Sequence, residues 1–121
     1  MADLATADLS EILRRHSMPK RIDYLSFDVD EAMEPCLDVL PLGEYRFRLV
    51  HAEHNLYLPK YAGLKEKIAK KFIGAGYVML VENVMLRGRG AVEDWFCAPG
   101  DFGDIWLSNI DHRNILSEMR L

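Results

Sequence analysis

The stretch IDYLSFDVDEAMEP, residues 22–35, joins an apolar run to an acidic turn and the start of a helix. The run is rich in residues that favour strands, so we predict a strand that begins at Ile22, ends at Asp28 and is buried on both faces. Four acidic side chains follow within seven positions: Asp28, Asp30, Glu31 and Glu34. A strand, a charged turn and a helix in succession are typical of an α/β sheet.

Helical and strand patterns continue on both sides of this stretch. A first helix is expected over about residues 7–17, with Thr6 as its N-cap. Met33 and Leu37 share one face of a short second helix. A second strand is predicted over residues 45–53, where apolar and polar side chains alternate.

The second half of the chain predicts one longer helix and a hairpin. Leu64, Ile68 and Phe72 are spaced to share the inner face of the helix. Its lysines are expected on the solvated side: Lys60, Lys65, Lys67, Lys70 and Lys71. Strands over residues 77–86 and 92–98 flank the turn-forming sequence RGRG, which favours an antiparallel hairpin.

This order of elements predicts an α/β fold in a single domain spanning residues 1–121. The first two strands are expected to pair in parallel through crossover helices, and the last two to pair as the hairpin. The sheet would then have about four strands. The final segment, residues 100–121, is expected to be partly helical from about Asp111.

Composition limits the classes of function and the compartment. The 121 residues carry a formal net charge of −4, which argues against binding to a phosphate backbone, so we expect no nucleic-acid partner. We expect no membrane partner either, because no stretch approaches the ~20 apolar residues of a bilayer span. Cys36 and Cys97 lie in apolar segments, so buried, reduced thiols and a cytoplasmic location are expected.

The sharpest functional signal is a convergence of polar residues. The first strand leads to Asp28 and Asp30, and the second leads to Glu53, His54 and Asn55. Ligands collect beyond the carboxyl ends of parallel strands, so these residues are candidates for a binding site. Asp28 would need a partner at the end of a buried strand, and His54 is a candidate proton acceptor because imidazole titrates near neutral pH.

A structural interpretation of the same residues remains open. Asp30 would cap the second helix, and Glu31 and Glu34 would favour its N-terminal dipole. His54 and Asn55 would only bond loop backbone.

Two further motifs suggest ligands but lack the required spacing. The sequence HAEH, residues 51–54, lies in a predicted strand, which would not aim His51 and His54 together as the helical H-E-x-x-H motif does. RGRG, residues 87–90, is not followed by a helix that could receive a phosphate. We therefore expect no metal site.

The order of motifs is similar to that of FkbM-type S-adenosylmethionine-dependent methyltransferases. DLSEILRRHSMPKRIDYLSFDVDEAMEPCL, residues 8–37, resembles the helix, buried strand and D-V-E-G-x-E-like turn of that family. FRLVHAEHN at residues 47–55, GY at residues 76–77 and EDWF at residues 93–96 resemble its later strands. The resemblance covers residues 4–99. Glu31 replaces the family's glycine, and Asp30 is shorter than the usual glutamate.

The resemblance implies the C-terminal half of a Rossmann-like methyltransferase sheet. The family's Gly-rich cofactor loop belongs to an N-terminal half that this sequence does not contain, so S-adenosylmethionine is not expected to bind this chain alone. The resemblance also implies the strand order first, second, fourth, third. The first strand, from Ile22 to Asp28, would then have an unpaired edge, which we expect a homodimer, another partner or the segment containing Trp106 to cover.

Two functional hypotheses follow. In one, the half-fold is a small binding or interaction protein without methyl transfer. In the other, it is part of an S-adenosylmethionine-dependent O-methyltransferase completed by an N-terminal half or a partner chain. Asp28, Asp30, Glu53 and Asn55 would then line the cofactor or substrate pocket, and His54 and Asp28 would be the catalytic residues.

Overall fold

The computed structural model describes residues 8–98 of the chain. In chain order the elements are α1 Leu9–Arg15, β1 Arg21–Phe27, α2 Met33–Asp38, β2 Arg46–Glu53, α3 Leu64–Gly74, β3 Val78–Leu86 and β4 Gly90–Cys97. Single 3₁₀ turns over Asp30–Ala32 and Pro59–Tyr61 precede α2 and α3. The predicted alternation of helices and strands is confirmed.

The four strands form one mixed sheet in the order β1-β2-β4-β3. β1 and β2 are parallel, whereas β4 is antiparallel to both β2 and β3. The paired residues of β1 and β2 lie 25 positions apart in the chain, from Arg21 with Arg46 to Phe27 with Ala52. The predicted α/β class, the parallel pair, the hairpin and the strand order are all confirmed.

The longest described helix covers one face of this sheet. Leu64, Ile68 and Phe72 are buried, as their spacing predicts. Phe72 stacks on Phe96 of β4, with ring centroids 5.0 Å apart. Gly76 adopts a left-handed conformation at φ +90°, and the following N–H of Tyr77 donates to the carbonyl of Phe72, which ends the helix.

Neighbouring residues of β4 belong to two different clusters. Phe96 and Ala98 pack into the larger core with the helices, whereas Trp95 and Cys97 pack with β3 residues such as Leu80. Successive side chains of a strand point to opposite faces, so the sheet has apolar side chains on both faces. Cys97 is buried, as predicted, whereas Cys36 is only partly buried.

The first helix is shorter than predicted. α1 begins at Leu9, and its N-cap is Asp8, whose carboxylate accepts a hydrogen bond from the N–H of Glu11. Thr6, the predicted N-cap, lies outside the described residues. The predicted terminal helix from Asp111 and the segment containing Trp106 also lie outside them.

The predicted burial of β1 on both faces is wrong. Of its seven residues only Phe27 is buried, and Tyr24 is 48% exposed. The physical reason is position: β1 is the outermost strand, and no strand among residues 8–98 pairs with its other edge. Arg21 and Asp23 are exposed polar residues of this edge strand.

Within residues 8–98, no helix combines the length and the apolar character that a bilayer crossing requires.

Candidate functional site

Three carboxylates meet at the carboxyl ends of β1 and β2. One oxygen from each of Asp28, Asp30 and Glu53 lies within 4.8 Å of the other two, and we call these residues the carboxylate cluster. Phe27 pairs with Ala52, so parallel pairing places the next residues, Asp28 and Glu53, side by side. The predicted convergence of the two strand ends is confirmed.

Unusual backbone conformations shape both turns of the cluster. Asp30 has φ +49° and Asn55 has φ +47°, values that non-glycine residues adopt rarely. Asp30 does not cap the second helix as the structural interpretation expects: within the described chain, neither its 3₁₀ turn nor α2 has a capping side-chain hydrogen bond. Asp30 instead turns back into the carboxylate cluster.

Asp28 is exposed, which corrects the expected buried carboxylate. Because β1 is an edge strand, the residue that follows it stays in contact with solvent. Because Asp28 is not buried, its charge does not need a ligand to offset a desolvation cost. What Asp28 contributes is negative charge beside Glu53.

Glu53 has an altered proton affinity. Partial burial, then a hydrogen bond with Asp28 and repulsion from it, raise the pKa of Glu53 from its ordinary 4.5 to about 7. The amide of Asn55, which donates to Glu53 Oε1 at 2.6 Å, works in the opposite direction. Glu53 can therefore bind and release a proton near neutral pH.

The cluster borders a cleft of about 350 Å³. Charged and aromatic side chains from the loop after β2 and from the hairpin turn complete its wall, including Tyr57, Lys60, Tyr61 and Arg89. Lys60 and Tyr61 both donate to Glu31, at 3.0 and 3.1 Å. The cleft thus offers both acidic and basic groups to a polar ligand.

Lys60 is also the main cause of a lowered pKa at Glu31. Its hydrogen bond, followed by the bond from the backbone N–H and that from Tyr61, holds the pKa of Glu31 below its usual value. Glu31 is therefore a surface ion-pair residue. Glu34 is likewise paired, with Lys67 at 2.9 Å.

The carboxylate cluster supplies the oxygen ligands that hard divalent cations take. Asp28, Asp30 and Glu53 are close enough for a single ion to contact all three. Acidic groups in proximity do not by themselves define a metal site, so we assign none.

His54 lies away from the carboxylate cluster. Its side chain is fully buried, Nε2 lies 3.1 Å from Asp94 Oδ1, and Nδ1 accepts the N–H of Leu56 at 3.1 Å. An acceptor Nδ1 assigns the proton to Nε2, which then donates to Asp94. Both nitrogens are occupied, so the geometry favours the structural interpretation of His54 over the predicted proton acceptor.

Asp94 is the buried charge that holds this region together. Its carboxylate accepts from His54, from the N–H of Asn83 at 2.7 Å and from Lys65 at 2.7 Å. Burial works to raise the pKa of Asp94, but the hydrogen bonds from His54, Asn83 and Lys65 outweigh it and lower the pKa. Asp94 therefore stays ionised in the core.

Lys65 corrects the expected solvated lysine face. Only 13% of its side chain is exposed, and its ammonium binds both Asp94 and Glu82. Burial acts to lower the pKa of Lys65, yet the bonds to these two carboxylates raise it. Sequence reasoning missed this pair. The available signal was Asp94 itself, which shares the face of the buried Phe96 in a predicted strand.

A second polar group bridges β1, β2 and β4. The hydroxyl of Tyr24 lies 2.9 Å from Nδ1 of His51, and the ring of His51 stacks on Trp95 with centroids 4.2 Å apart. Burial, opposed by the negative charge of Glu93, lowers the pKa of His51. His51 therefore packs between strands and is separate from the carboxylate cluster.

Comparisons with known proteins give no relative: no protein-family model matches the chain, and no match was found among curated proteins or solved structures.

We expect stability to depend on the protonation of Glu53. Its folded pKa lies above its ordinary value, so its contribution is full below about pH 4.5 and is lost as the pH rises through about 7. Glu53→Gln imitates the protonated form. Its melting temperature should therefore exceed that of the wild type above pH 7, and the difference should shrink towards pH 4.5. Thermal unfolding across this range checks the prediction, with the exposed Glu66→Gln as control; a constant difference would contradict it.

Removal of the Asp94 carboxylate should strongly destabilise the fold. Asp94→Ala leaves the buried donors of His54 and Asn83 without their acceptor and removes one of the two carboxylates that bind Lys65, so the free energy of unfolding should fall by about 3–5 kcal/mol. Glu34→Ala, which breaks an exposed ion pair, should cost at most about 1 kcal/mol. Urea unfolding of both variants measures the two losses. Similar small losses would show that the buried network contributes little.

Proposed function

We propose that this protein is a small binding protein that uses the edge strand β1 to pair with a strand of another polypeptide, and that it does not transfer methyl groups on its own. The observation that carries this proposal is the regular, exposed β1 at the end of the strand order β1-β2-β4-β3. An uncovered regular strand is a template for strand addition.

Backbone geometry supports this use of β1. The N–H of Arg46 donates to the carbonyl of Lys20 at 2.7 Å. In a parallel ladder, residues that bond the neighbouring strand alternate with residues that face away from it. Lys20, Ile22 and Tyr24 therefore face β2, whereas Asp23 and Leu25 direct their N–H and C=O groups outward.

The opposite edge of the sheet has a different character. β3 pairs with β4 through three register shifts, and Asn83 within β3 has φ +54°. Bulges of this kind interrupt the row of backbone groups that an incoming strand would need. β1 keeps one constant register along its length. The contrast favours β1 as the edge that binds.

The strand arrangement is also that expected for the C-terminal half of a methyltransferase sheet. In the fold that the resemblance implies, the strand beside β1 belongs to the cofactor-binding half. This coincidence supports the interpretation of β1 as an edge that another strand completes. It does not require this chain to retain catalysis.

Self-assembly of the purified protein tests the proposal. We expect light scattering to show a species larger than the monomer, and amide exchange at Asp23 and Leu25 to be slow, because a partner strand protects the outward N–H groups. Asp23→Pro removes one of these groups and should weaken assembly about tenfold or more. Asp23→Ala removes the same side chain, keeps the N–H and should assemble normally. A wild-type monomer with rapid exchange at both residues would contradict the proposal.

A second candidate function is favoured by the position of the carboxylate cluster. The chain would be part of an S-adenosylmethionine-dependent O-methyltransferase, with Asp28, Asp30, Glu53 and Asn55 at the cofactor or acceptor pocket. In that case Glu53 is better placed than His54 to accept a hydroxyl proton. It borders the cleft and has a pKa of about 7, near the optimum for a general base at neutral pH.

Isothermal titration with S-adenosylmethionine separates the two candidates. We expect the chain alone to show no binding tighter than about 1 mM, because the Gly-rich loop that would hold the cofactor is not in this sequence. Micromolar binding would overturn the binding-protein proposal in favour of the enzyme. Binding that appears only after a polypeptide with a Gly-rich strand-loop-helix is added would support a methyltransferase completed by a partner.

A further inference from the structure

We propose that the strand that pairs with β1 is the β1 of a second copy, antiparallel to it and centred on Tyr24; this inference rests on the proposed function. The two sheets would join into one continuous sheet of eight strands. The inference names the partner strand, its direction and its register, which self-assembly alone leaves open.

The length of β1 selects the register. The strand has seven residues, Arg21–Phe27, and Tyr24 is the middle one. A twofold axis at Tyr24 pairs all seven residues with their counterparts. Moving the axis by one residue, to Asp23 or Leu25, leaves only five of the seven paired within the strand. The centred arrangement therefore forms the most backbone hydrogen bonds.

The alternation of backbone groups fits the same axis. Tyr24 directs its own N–H and C=O towards β2, so two copies of Tyr24 would meet as a non-hydrogen-bonded pair, with Cα atoms about 4.5 Å apart. On either side, Asp23 of one copy and Leu25 of the other would exchange hydrogen bonds through their outward groups. The side chain of Tyr24 is 48% exposed and available to the second copy.

Side-chain charges are complementary in this register. Lys20 would lie opposite Asp28 of the partner subunit, and the symmetry repeats this contact on the other side of the axis. Lys20 also binds Glu44, but 63% of its side chain remains exposed. An axis at Asp23 would instead place two aspartates directly opposite each other, an arrangement that like charges disfavour.

The pairing would also account for the difference between the two edges of the sheet. A joined sheet has no free β1 edge, and both of its outer edges are the bulged β3 strands. Bulged edges resist further strand addition, so assembly would stop at two copies. The carboxylate cluster of each copy would stay at the end of its own β1, on opposite sides of the joint.

Disulfide cross-linking tests the register in a Cys36→Ser background of the full chain. Tyr24→Cys places the two introduced thiols at the axis, within the Cα separation of about 4.4–6.8 Å that a disulfide spans. Ser26→Cys is the control, because position 26 faces position 22 of the second copy and lies about 13 Å from its own counterpart. After mild oxidation we expect at least about tenfold more covalent dimer from Tyr24→Cys, measured on non-reducing gels.

Amide exchange of the wild-type protein gives a second measurement that does not depend on the variants. Exchange at Asp23 and Leu25 should slow as the protein concentration rises, since the second copy supplies the protection. Equal cross-linking at positions 24 and 26, or none at 24 from an assembled and protected protein, would overturn this pairing and leave the docking function of β1 intact. A monomer with rapid exchange at every concentration would overturn both.

Discussion

The parallel pairing of β1 with β2 controls both the candidate site and the exposed edge. Parallel strands bring their carboxyl ends to the same edge of the sheet, and this alone places Asp28 and Asp30 close to Glu53. The crossover through α2 makes β1 and β2 neighbours, and the insertion of β4 on the far side of β2 leaves β1 outermost. One pairing thus places the carboxylate cluster at the end of β1 and, among residues 8–98, leaves the outer edge of β1 without a partner strand.

A buried charge network is the second constraint on this architecture. Asp94 joins β4 to α3 through Lys65, to the irregular part of β3 through Asn83, and to the turn after β2 through His54. A buried carboxylate requires several hydrogen-bond donors. His54, the only buried histidine among the described residues, is one of the donors to Asp94. The imidazole of His54 therefore does not line the cleft. Glu53 does line it, and its pKa is raised to about 7.

Sequence periodicity predicted the elements well, because side-chain spacing reports local structure directly. The inner face of α3, the hairpin around RGRG and the convergence of two acidic strand ends all required only neighbours in sequence and the rules of parallel sheets. Burial was harder to predict. The apolar character of β1 predicted that both of its faces are buried, yet its position at the edge of the sheet leaves it exposed. Asp28, which follows β1, is exposed for the same reason. Lys65 looked like its lysine neighbours until Asp94 was placed beside it.

The sequence by itself determined the order of helices and strands, the α/β class and the acidic residues that end the first two strands, since each depends on short-range pattern. Tertiary structure alone decided which polar groups are buried together. His54 and Asp94 are 40 positions apart, and Lys65 and Asp94 are 29 apart. No local pattern encodes such a pair. Only the packing of α3 on the sheet brings these side chains into a space from which water is excluded. There the carboxylate of Asp94 accepts hydrogen bonds from His54, Lys65 and the N–H of Asn83.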